Sequence, residues 1–286
     1  MTTGYSTYSD ISTLIDVIRE GAMFTLRQQN LLVPTVTVFR DNSGMQPRTV
    51  SNYGTANPRV IAEADDVLPT QFDRTAGGTI TPTNTADQFF LSDQRIRTDN
   101  QNVRADAALE LGASFAQAVD VAIAANFVSL TGGTIGGASS ALTWSHIEAA
   151  YAILRAAKVP PPYFCALHPY QVHDLVLASS ITGTGFQNAP GFQDRMANSY
   201  MVSTLFGDII FVNTPSIALS GTSVRGAMYS PLAMAYDERD PFTIEYERDA
   251  SRQGWELNAH IWYVTGVWAA ERGVILYNDA TTPTGA

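Results

Sequence analysis

The segment from residue 45 to residue 92 restricts the possible folds most, because it has a strand pattern but no apolar stripe. Four prolines and the pair Gly77-Gly78 interrupt it, and every second residue from Thr79 to Thr85 is threonine. This period of two indicates a strand. A lone two-stranded ribbon is only marginally stable in water, and loops of this length are rare in compact domains. We therefore expect a long β-arm that leaves its own body and packs on another surface.

The alternative interpretation of this segment is a disordered insertion. Disordered segments are usually poor in large apolar side chains. The segment nevertheless contains Val60, Ile61, Val67, Leu68, Phe89 and Phe90. These residues favour the β-arm.

The strongest helical pattern covers about residues 101–130. Its narrow polar stripe consists of Asp106, Glu110, Ser114, Gln117 and Asp120, and nearly all other positions are Ala, Leu, Val, Ile or Phe. At 1.5 Å per residue the helix would be about 40 Å long, and a helix with so much apolar circumference is usually buried on several sides. We expect it to be the spine of the fold, with Phe115 and Val119 inaccessible to solvent.

The remaining pattern predicts an α+β fold. Residues 1–9 predict a flexible arm, and a helix follows from Asp10, with its apolar stripe at Ile11, Leu14, Ile15, Ile18, Ala22 and Leu26. Helices are then predicted at 144–157 and from Pro169 through Leu177, and strands at 163–167, 209–212, 227–229, 242–247, 257–268 and 274–276. Thr143, or Ser145 with Glu148, is positioned to cap the first of these helices. The two strands at 242–247 and 257–268 are expected to form an antiparallel pair.

The composition indicates a surface that meets protein. Charged residues make up 15% of the chain, against about 25% in ordinary soluble domains, so much of the exterior is expected to lie in contacts. Sixteen arginines and one lysine, Lys158, provide the cations, and the formal net charge is −10. Such a chain is a poor binder of phosphate backbones, which argues against nucleic-acid binding as its main task.

Cellular location follows from three further features. Cys165 is the only cysteine, which excludes a disulfide-stabilised secreted scaffold. The sequence has no recognisable signal peptide, and it has no run of about 20 uncharged apolar residues that would predict a membrane span. We expect folding in the cytosol and no membrane association.

Motifs for catalysis and ligand binding are missing or weak. The sequence contains no GxxxxGK[ST], HExxH, GxSxG, CxxC or EF-hand pattern. Gly183-Thr184-Gly185 lacks the third glycine of a phosphate loop and is interpreted as an ordinary loop.

His168 and His173 have an awkward spacing for one metal and no evident third ligand. His168 is expected to cap the helix that Pro169 opens. Cys165 is expected to be a small buried hydrophobe, with a catalytic Cys165–His168 pair as the alternative.

Two clusters of carboxylates remain as candidate sites. They are Glu63/Asp65/Asp66 and Asp237/Glu238/Asp240. Solvated faces, or partners for arginines across an interface, are the favoured interpretations. The arginines considered as such partners are Arg48, Arg59, Arg239, Arg248 and Arg252. No catalytic, cofactor-binding or metal-ligating residue is therefore predicted, and the chain is not expected to be an enzyme.

The order of the elements resembles the major capsid proteins of tailed bacteriophages over essentially the whole chain. The extended loop is represented by RVIAEADDVLP…QFFLSDQRI, and the spine helix by NVRADAALELGASFAQAVD. The axial domain is represented by LTWSHIEAAYAILRAAKVPPPYFCALHPYQVHDL and FGDIIFV. The last β pair is represented by EYERDASRQGWELNAHIWYVTGVWAAERGVIL. It implies the Hong Kong 97-type (HK97-like) capsid fold. The implied domains are an N-terminal arm and helix (1–44), an extended loop (45–92), a peripheral domain (93–142 and 236–268) and an axial domain (143–235 and 269–286).

This resemblance implies a structural protein that assembles as hexamers and pentamers into an icosahedral viral head around double-stranded DNA. Assembly would take place in the host cytoplasm, with scaffolding, portal and decoration proteins as partners and only weak, non-specific contact with the DNA. A separate scaffolding protein, or a scaffolding segment already cleaved away, is implied because the sequence begins close to the arm. Some family members join subunits through a lysine–asparagine bond from the extended loop, but residues 45–92 contain no lysine.

Two alternatives to a viral head stay open. One is an encapsulin-like shell that encloses protein cargo. The other is a soluble enzyme whose active site uses the acidic clusters. The size of the assembled particle separates the enzyme from both kinds of shell, since an enzyme would form only a small oligomer.

Overall fold

A computed structural model describes residues 30–41, 44–53, 60, 74–98, 103–181, 204–205 and 208–283. The strands are β1 (Thr37–Arg40), β2 (Arg48–Tyr53), β3 (Arg74–Ile80), β4 (Thr83–Ser92), β5 (Thr134–Gly136), β6 (Tyr163–Leu167), β7 (Thr204–Leu205), β8 (Ile209–Asn213), β9 (Leu219–Ser220), β10 (Ser223–Tyr229), β11 (Met234–Asp249), β12 (Gly254–Val267) and β13 (Gly273–Asp279). The helices are α1 (Asp93–Thr98), α2 (Val103–Ala125), α3 (Trp144–Ala156) and α4 (Pro169–Ile181). The predicted N-terminal helix, the Gly183-Thr184-Gly185 stretch and the Glu63/Asp65/Asp66 cluster lie outside the described residues.

The hairpin of β11 and β12 forms the centre of a four-stranded sheet with the order β1-β11-β12-β4. The two long strands pair antiparallel from Met234↔Val267 to Asp249↔Gly254, with irregular register on both sides of Asp240. Strand β1 runs parallel to the first part of β11, and β4 runs antiparallel to β12. The antiparallel pair predicted for the last third of the chain is confirmed, and both strands are longer than predicted.

Helix α2 is the spine predicted from the sequence, and it packs against one face of this sheet. Phe115 and Val119 are buried, and the ring of Phe115 meets that of Phe242 edge-on with centroids 5.0 Å apart. Residues 106–129 are long and apolar enough to cross a membrane by length and composition alone. About half of this stretch is buried inside the protein, which is the position of a core helix.

A seven-stranded sheet with the order β5-β13-β10-β6-β8-β7, and with β9 paired to β10, forms the second layer. Its side chains alternate between two apolar cores, because successive residues of a strand point to opposite faces. Cys165, Met228 and Val274 belong to the core under α3 and α4. Ala166 and Tyr229 belong to the core that contains the spine helix. This sheet is therefore covered on both faces.

Two segments near the predicted domain boundaries pair with strands of a different predicted domain. Residues 83–92, which are expected in the extended loop, form the edge strand β4 of the four-stranded sheet, because Leu91 is buried and Phe89 packs against the core. Strand β5, expected with the spine helix, pairs parallel with β13 in the seven-stranded sheet. Its Ile135 packs against the core under α3. The two-stranded ribbon is thus formed by β2 and β3.

Capping residues define the starts of α3 and α4. Thr143 is the N-cap of α3, which confirms the first of the two predicted alternatives. Its backbone N–H donates to Nδ1 of His146 at 3.3 Å, so the capping box uses His146 instead of Ser145 with Glu148. Pro169 opens α4, and Nδ1 of His168 accepts the backbone N–H of Tyr170 at 3.2 Å. The predicted capping role of His168 is confirmed, and burial lowers the pKa of its ring.

Candidate assembly site at the base of the β-arm

Strands β2 and β3 form the β-arm, a two-stranded antiparallel sheet separate from the other two sheets. At the base, Arg48 pairs with Ile80 and Thr49 with Thr79. Thr49 and Thr79 are exposed, with their hydroxyl oxygens 3.4 Å apart. Val60, in the segment between the two strands, is 99% exposed. In the described residues, the arm therefore draws its support from its base.

A buried carboxylate holds the first strand of the arm. Asp237, on β11, is completely buried, and its Oδ2 accepts Nε of Arg48 at 2.9 Å. The neighbouring Arg239 lies 2.9 Å from the same oxygen. Arg239 also donates to the backbone carbonyls of Gly44 and Gln46 at 3.1 and 3.3 Å. One carboxylate on the body thus fixes both β2 and the chain that leads into it.

The charge balance of this cluster explains why a buried carboxylate is tolerated. A buried charge needs a partner with good hydrogen-bond geometry, and Asp237 has two guanidinium groups at one oxygen. The hydrogen bond with Asp237 is the largest cause that raises the pKa of Arg48. The other oxygen, Oδ1 of Asp237, is buried without a hydrogen-bond partner. The cluster therefore acts as a charge-assisted attachment point rather than as an acid–base pair.

An apolar contact holds the second strand of the arm. Ile80, the last residue of β3, is 7% exposed and lies over Gly266 of β12. A Cβ atom at position 266 would lie 2.3 Å from Cγ2 of Ile80, a distance at which one of the two must move. The close approach therefore requires glycine at this position. Glycine inside a strand often marks such an approach, and this was the available sequence signal for a contact that sequence analysis missed.

The spine helix is less completely covered than the sequence predicts. Leu109 and Val121 of α2 are 46% and 42% exposed, and Val128, in the 3-10 turn that follows the helix, is 52% exposed. The sequence predicts a helix buried on several sides, whereas these apolar residues remain at the surface of a single chain. Single exposed apolar side chains are common on protein surfaces, so these positions do not by themselves define a contact surface.

The acidic cluster at Asp237, Glu238 and Asp240 is a structural part of the arm base. Asp237 binds Arg48 and Arg239, and Glu238 pairs with Arg40 at 3.1 Å. The arginines expected to reach across an interface therefore include two that are partners within the same chain. The reason is local, because β1 and the start of β2 lie beside β11.

Two further predicted arginines pair near the turn of the β11–β12 hairpin. Arg248 holds Asp93 of α1 through two hydrogen bonds of 2.7 Å, and Arg252 binds Glu256 at 3.0 Å. These pairs also lie within one chain. Arg59 is outside the described residues.

The weaker candidates for chemistry also have structural positions. Cys165 is fully buried in β6, as predicted, and burial raises the pKa of its thiol. His260 contacts the hydroxyl of Thr243 at 2.8 Å on the face of the four-stranded sheet away from the spine helix. Among the described residues no group of three or more His, Cys, Asp or Glu side chains could hold a metal ion.

Comparison with known proteins agrees with this architecture. Residues 75–276 match the model of a family described as phage capsid protein, whereas none of the curated proteins matches the chain. The capsid protein of Ralstonia phage GP4 superposes with a TM-score of 0.69 at 10% identity, covering 90% of this chain and 93% of its own. The capsid protein of cyanophage P-SCSP1u gives 0.65 at 15% identity and covers 87% of both chains.

The same fold also occurs in an encapsulin. The holo-SrpI encapsulin complex from Synechococcus elongatus superposes with a TM-score of 0.58 at 10% identity, covering 89% of each chain. Together with the two phage capsids, this match confirms the predicted α+β fold of the Hong Kong 97 type. Identities of 10–15% establish the fold that these proteins share.

Proposed function

This chain belongs to the phage capsid protein family that its residues 75–276 match, and on that premise we propose that it forms an icosahedral viral head. It is a shell-forming structural protein of the virion. In the proposed head, copies assemble as hexamers and pentamers and enclose double-stranded DNA. Assembly takes place in the host cytoplasm with scaffolding and portal proteins, and a decoration protein can reinforce the particle.

The β-arm is the single observation that carries this proposal. It forms a sheet of its own, its described contacts with the body lie at its base, and the sequence of its two strands carries no apolar stripe. A two-stranded ribbon is marginally stable by itself. The second copy of the chain supplies the surface that the arm needs.

The domain organisation is part of the same proposal. The spine helix and the four-stranded sheet form the peripheral domain, and the seven-stranded sheet with α3 and α4 forms the axial domain. The extended loop then consists of the ribbon β2–β3 and the segment between its strands. Residues 1–44 remain the predicted N-terminal arm and helix, most of which lies outside the described residues.

We propose that the subunits are joined without covalent bonds. Lys158, the only lysine, is exposed at the end of α3, and residues 45–92 contain none. Cys165 is buried in β6. Apolar contacts therefore dominate the cohesion, because exposed ion pairs contribute only about 0–1 kcal/mol each. Purified particles boiled in detergent should give one band near 30.9 kDa on a denaturing gel, and a ladder of multimers that survives reductant would contradict this.

The packaged DNA contributes little to assembly in this proposal. The formal net charge of −10 opposes binding to a phosphate backbone. Contacts with the DNA are therefore weak and non-specific. The proposal includes no enzymatic activity and no cofactor.

Replacement of the arm tests the proposed function. Arg48 and Ile80 are opposite each other at the base, so Thr49–Thr79 can be replaced by a short Gly/Ser turn without removing either attachment residue. We expect the body to stay folded, with a thermal unfolding midpoint close to that of the wild type, and closed particles to be lost in negative-stain images. Particles of normal size and yield from this variant would refute the proposed role of the arm.

A compartment for protein cargo is the second candidate, since an encapsulin shares the fold. The content of particles isolated from the native source decides between the two. A viral head should protect double-stranded DNA of genome length from nuclease. A cargo compartment should contain a co-purifying protein and no protected DNA.

A further inference from the structure

Arg48 connects the arm to two other strands of the molecule. It lies on β2 of the arm, its Nε binds Asp237 on β11 at 2.9 Å, and its Nη2 lies 3.3 Å from Asp41, just after β1. The guanidinium carbon is 4.4 Å from the centre of the Phe39 ring, on β1. A planar guanidinium can stack on a ring and bind a carboxylate at the same time, which an ammonium group cannot do equally well. The orientation of the arm is therefore tied to β1 and β11 together.

Phe39 extends these contacts to the link between the two large sheets. Its ring lies 5.2 Å from that of Trp268, centroid to centroid. Trp268 directly follows β12 on the path to β13, and its backbone N–H donates to the carbonyl of Ala233, just before β11, at 2.8 Å. The chain of contacts from Trp268 through Phe39 and Arg48 to Asp237 is thus continuous.

We propose that Arg48 and Phe39 are positioning residues, which set the direction of the β-arm relative to the link between the four-stranded and seven-stranded sheets. This inference rests on the proposed contact of the arm with a second copy, because direction matters only if the arm must reach a partner. Arg48 is suited to this role because Asp237 keeps Arg239 as a partner when Arg48 is absent. Loss of Arg48 therefore loosens the arm without leaving a buried carboxylate unpaired.

The first test compares Arg48→Ala with Arg40→Ala. Arg40 is a matched control, since it pairs with the neighbouring Glu238 at 3.1 Å but is 62% exposed and lies on β1 rather than on the arm. In the unassembled full-length chain, Arg48→Ala should accelerate amide hydrogen exchange of β3 about tenfold or more, as expected when a charge-assisted contact is lost. Exchange in β10 and β13 should not change, and Arg40→Ala should leave all three strands as in the wild type.

Conservative variants separate positioning from simple stability. Arg48→Lys keeps the charge but not the planar stack, so we expect exchange of β3 between that of the wild type and that of Arg48→Ala. Phe39→Tyr keeps the aromatic face and should behave like the wild type, whereas Phe39→Leu keeps an apolar side chain and should still loosen β3. Thermal unfolding midpoints of the four variants at positions 39 and 48 should lie close together if the effect is confined to the arm.

The outcomes distinguish this inference from the proposed function. If Arg48→Ala loosens β3 and lowers the yield of closed particles, the positioning role is supported. If β3 exchanges as in the wild type, or if β10 and β13 accelerate equally, the positioning role is refuted. If the arm loosens but particles form with normal rate and size, it is refuted as well. The role of the arm itself is judged separately, by the variant that replaces Thr49–Thr79.

Discussion

Two antiparallel strand pairs of this chain, the β11–β12 hairpin and the β2–β3 arm, differ in what covers them. The hairpin presents Phe242, Ile244 and Leu257 to the spine helix, and all three are buried. The arm presents threonines at its base, and Thr49 and Thr79 are exposed. The same secondary structure is therefore self-sufficient in one place and dependent on outside support in the other.

The difference follows from the side chains and not from the backbone pairing. Both pairs are regular over much of their length, and both contain a register irregularity. Burial of apolar side chains gives about 25 cal/mol per Å², whereas the pairing of backbone groups adds little when water can bind the same groups. A strand pair without an apolar face must gain its stability from a surface beyond its own two strands.

The largest expected effect in the body is that of Phe115→Ala. Phe115 is 2% exposed and packs edge-on against Phe242 of the hairpin. Deletion of a buried phenylalanine ring costs about 3–5 kcal/mol through lost transfer energy and the cavity left behind. Denaturant unfolding should show this loss.

Leu109→Ala on the same helix is the matched control for Phe115→Ala. Leu109 is 46% exposed, so its truncation should change stability by less than about 0.5 kcal/mol, as is usual at the surface. A similar loss in both variants would mean that the spine helix is not the cover of the hairpin.

A smaller effect is expected for Gly266→Ala, which tests the junction between the two strand pairs. The added methyl group would meet Cγ2 of Ile80 at 2.3 Å, and overpacking of this kind costs about 1–3 kcal/mol. The expected result is a lower midpoint of unfolding and faster hydrogen exchange in β3.

Gly137→Ala serves as the comparison for Gly266→Ala, because a Cβ atom at position 137 would meet nothing within 4 Å. This variant should be neutral or slightly more stable, since alanine reduces the entropy of the unfolded chain. If both alanine variants were equally harmless, Ile80 would not be the apolar attachment of the arm.

Sequence periodicity was sufficient to predict the elements that have a strong apolar pattern. The spine helix, the hairpin of β11 and β12, strand β6 and the start of α4 at Pro169 all lie where the pattern predicts them. The end of the extended loop was less predictable, because β4 begins with the mostly polar sequence Thr83 to Gln88 and has large apolar side chains only from Phe89 to Leu91. Its membership in the body sheet depends on pairing with β12, a contact distant in sequence.

The base of the arm shows why long-range contacts are hard to read from one sequence. Asp237 and Arg48 are both noticeable as charged residues in extended segments, yet their mutual contact spans 189 positions. Composition indicated arginine–carboxylate pairs but not whether they lie within a chain or between chains. The glycine at position 266 is informative only when Ile80 is known to lie above it.

The smallest expected effect concerns the hydroxyl of Thr265, which links the hairpin to the end of the spine helix. Oγ1 of Thr265 donates to the backbone carbonyl of Ala122 at 3.1 Å and accepts Nδ2 of Asn126 at 3.1 Å. Thr265→Val keeps the shape but removes the hydroxyl, while Nδ2 of Asn126 retains the carbonyl of Ala122 at 3.0 Å. Two half-buried hydrogen bonds are lost, but their partners stay hydrogen-bonded to each other. No buried donor is left alone, so the loss should stay near about 1 kcal/mol. Thr265→Ser retains the hydroxyl and should recover most of this loss in the same denaturant titration. A loss above about 3 kcal/mol for Thr265→Val would exceed the usual cost of one unsatisfied group, and it would show that the hairpin depends on polar contacts and not mainly on its apolar cover.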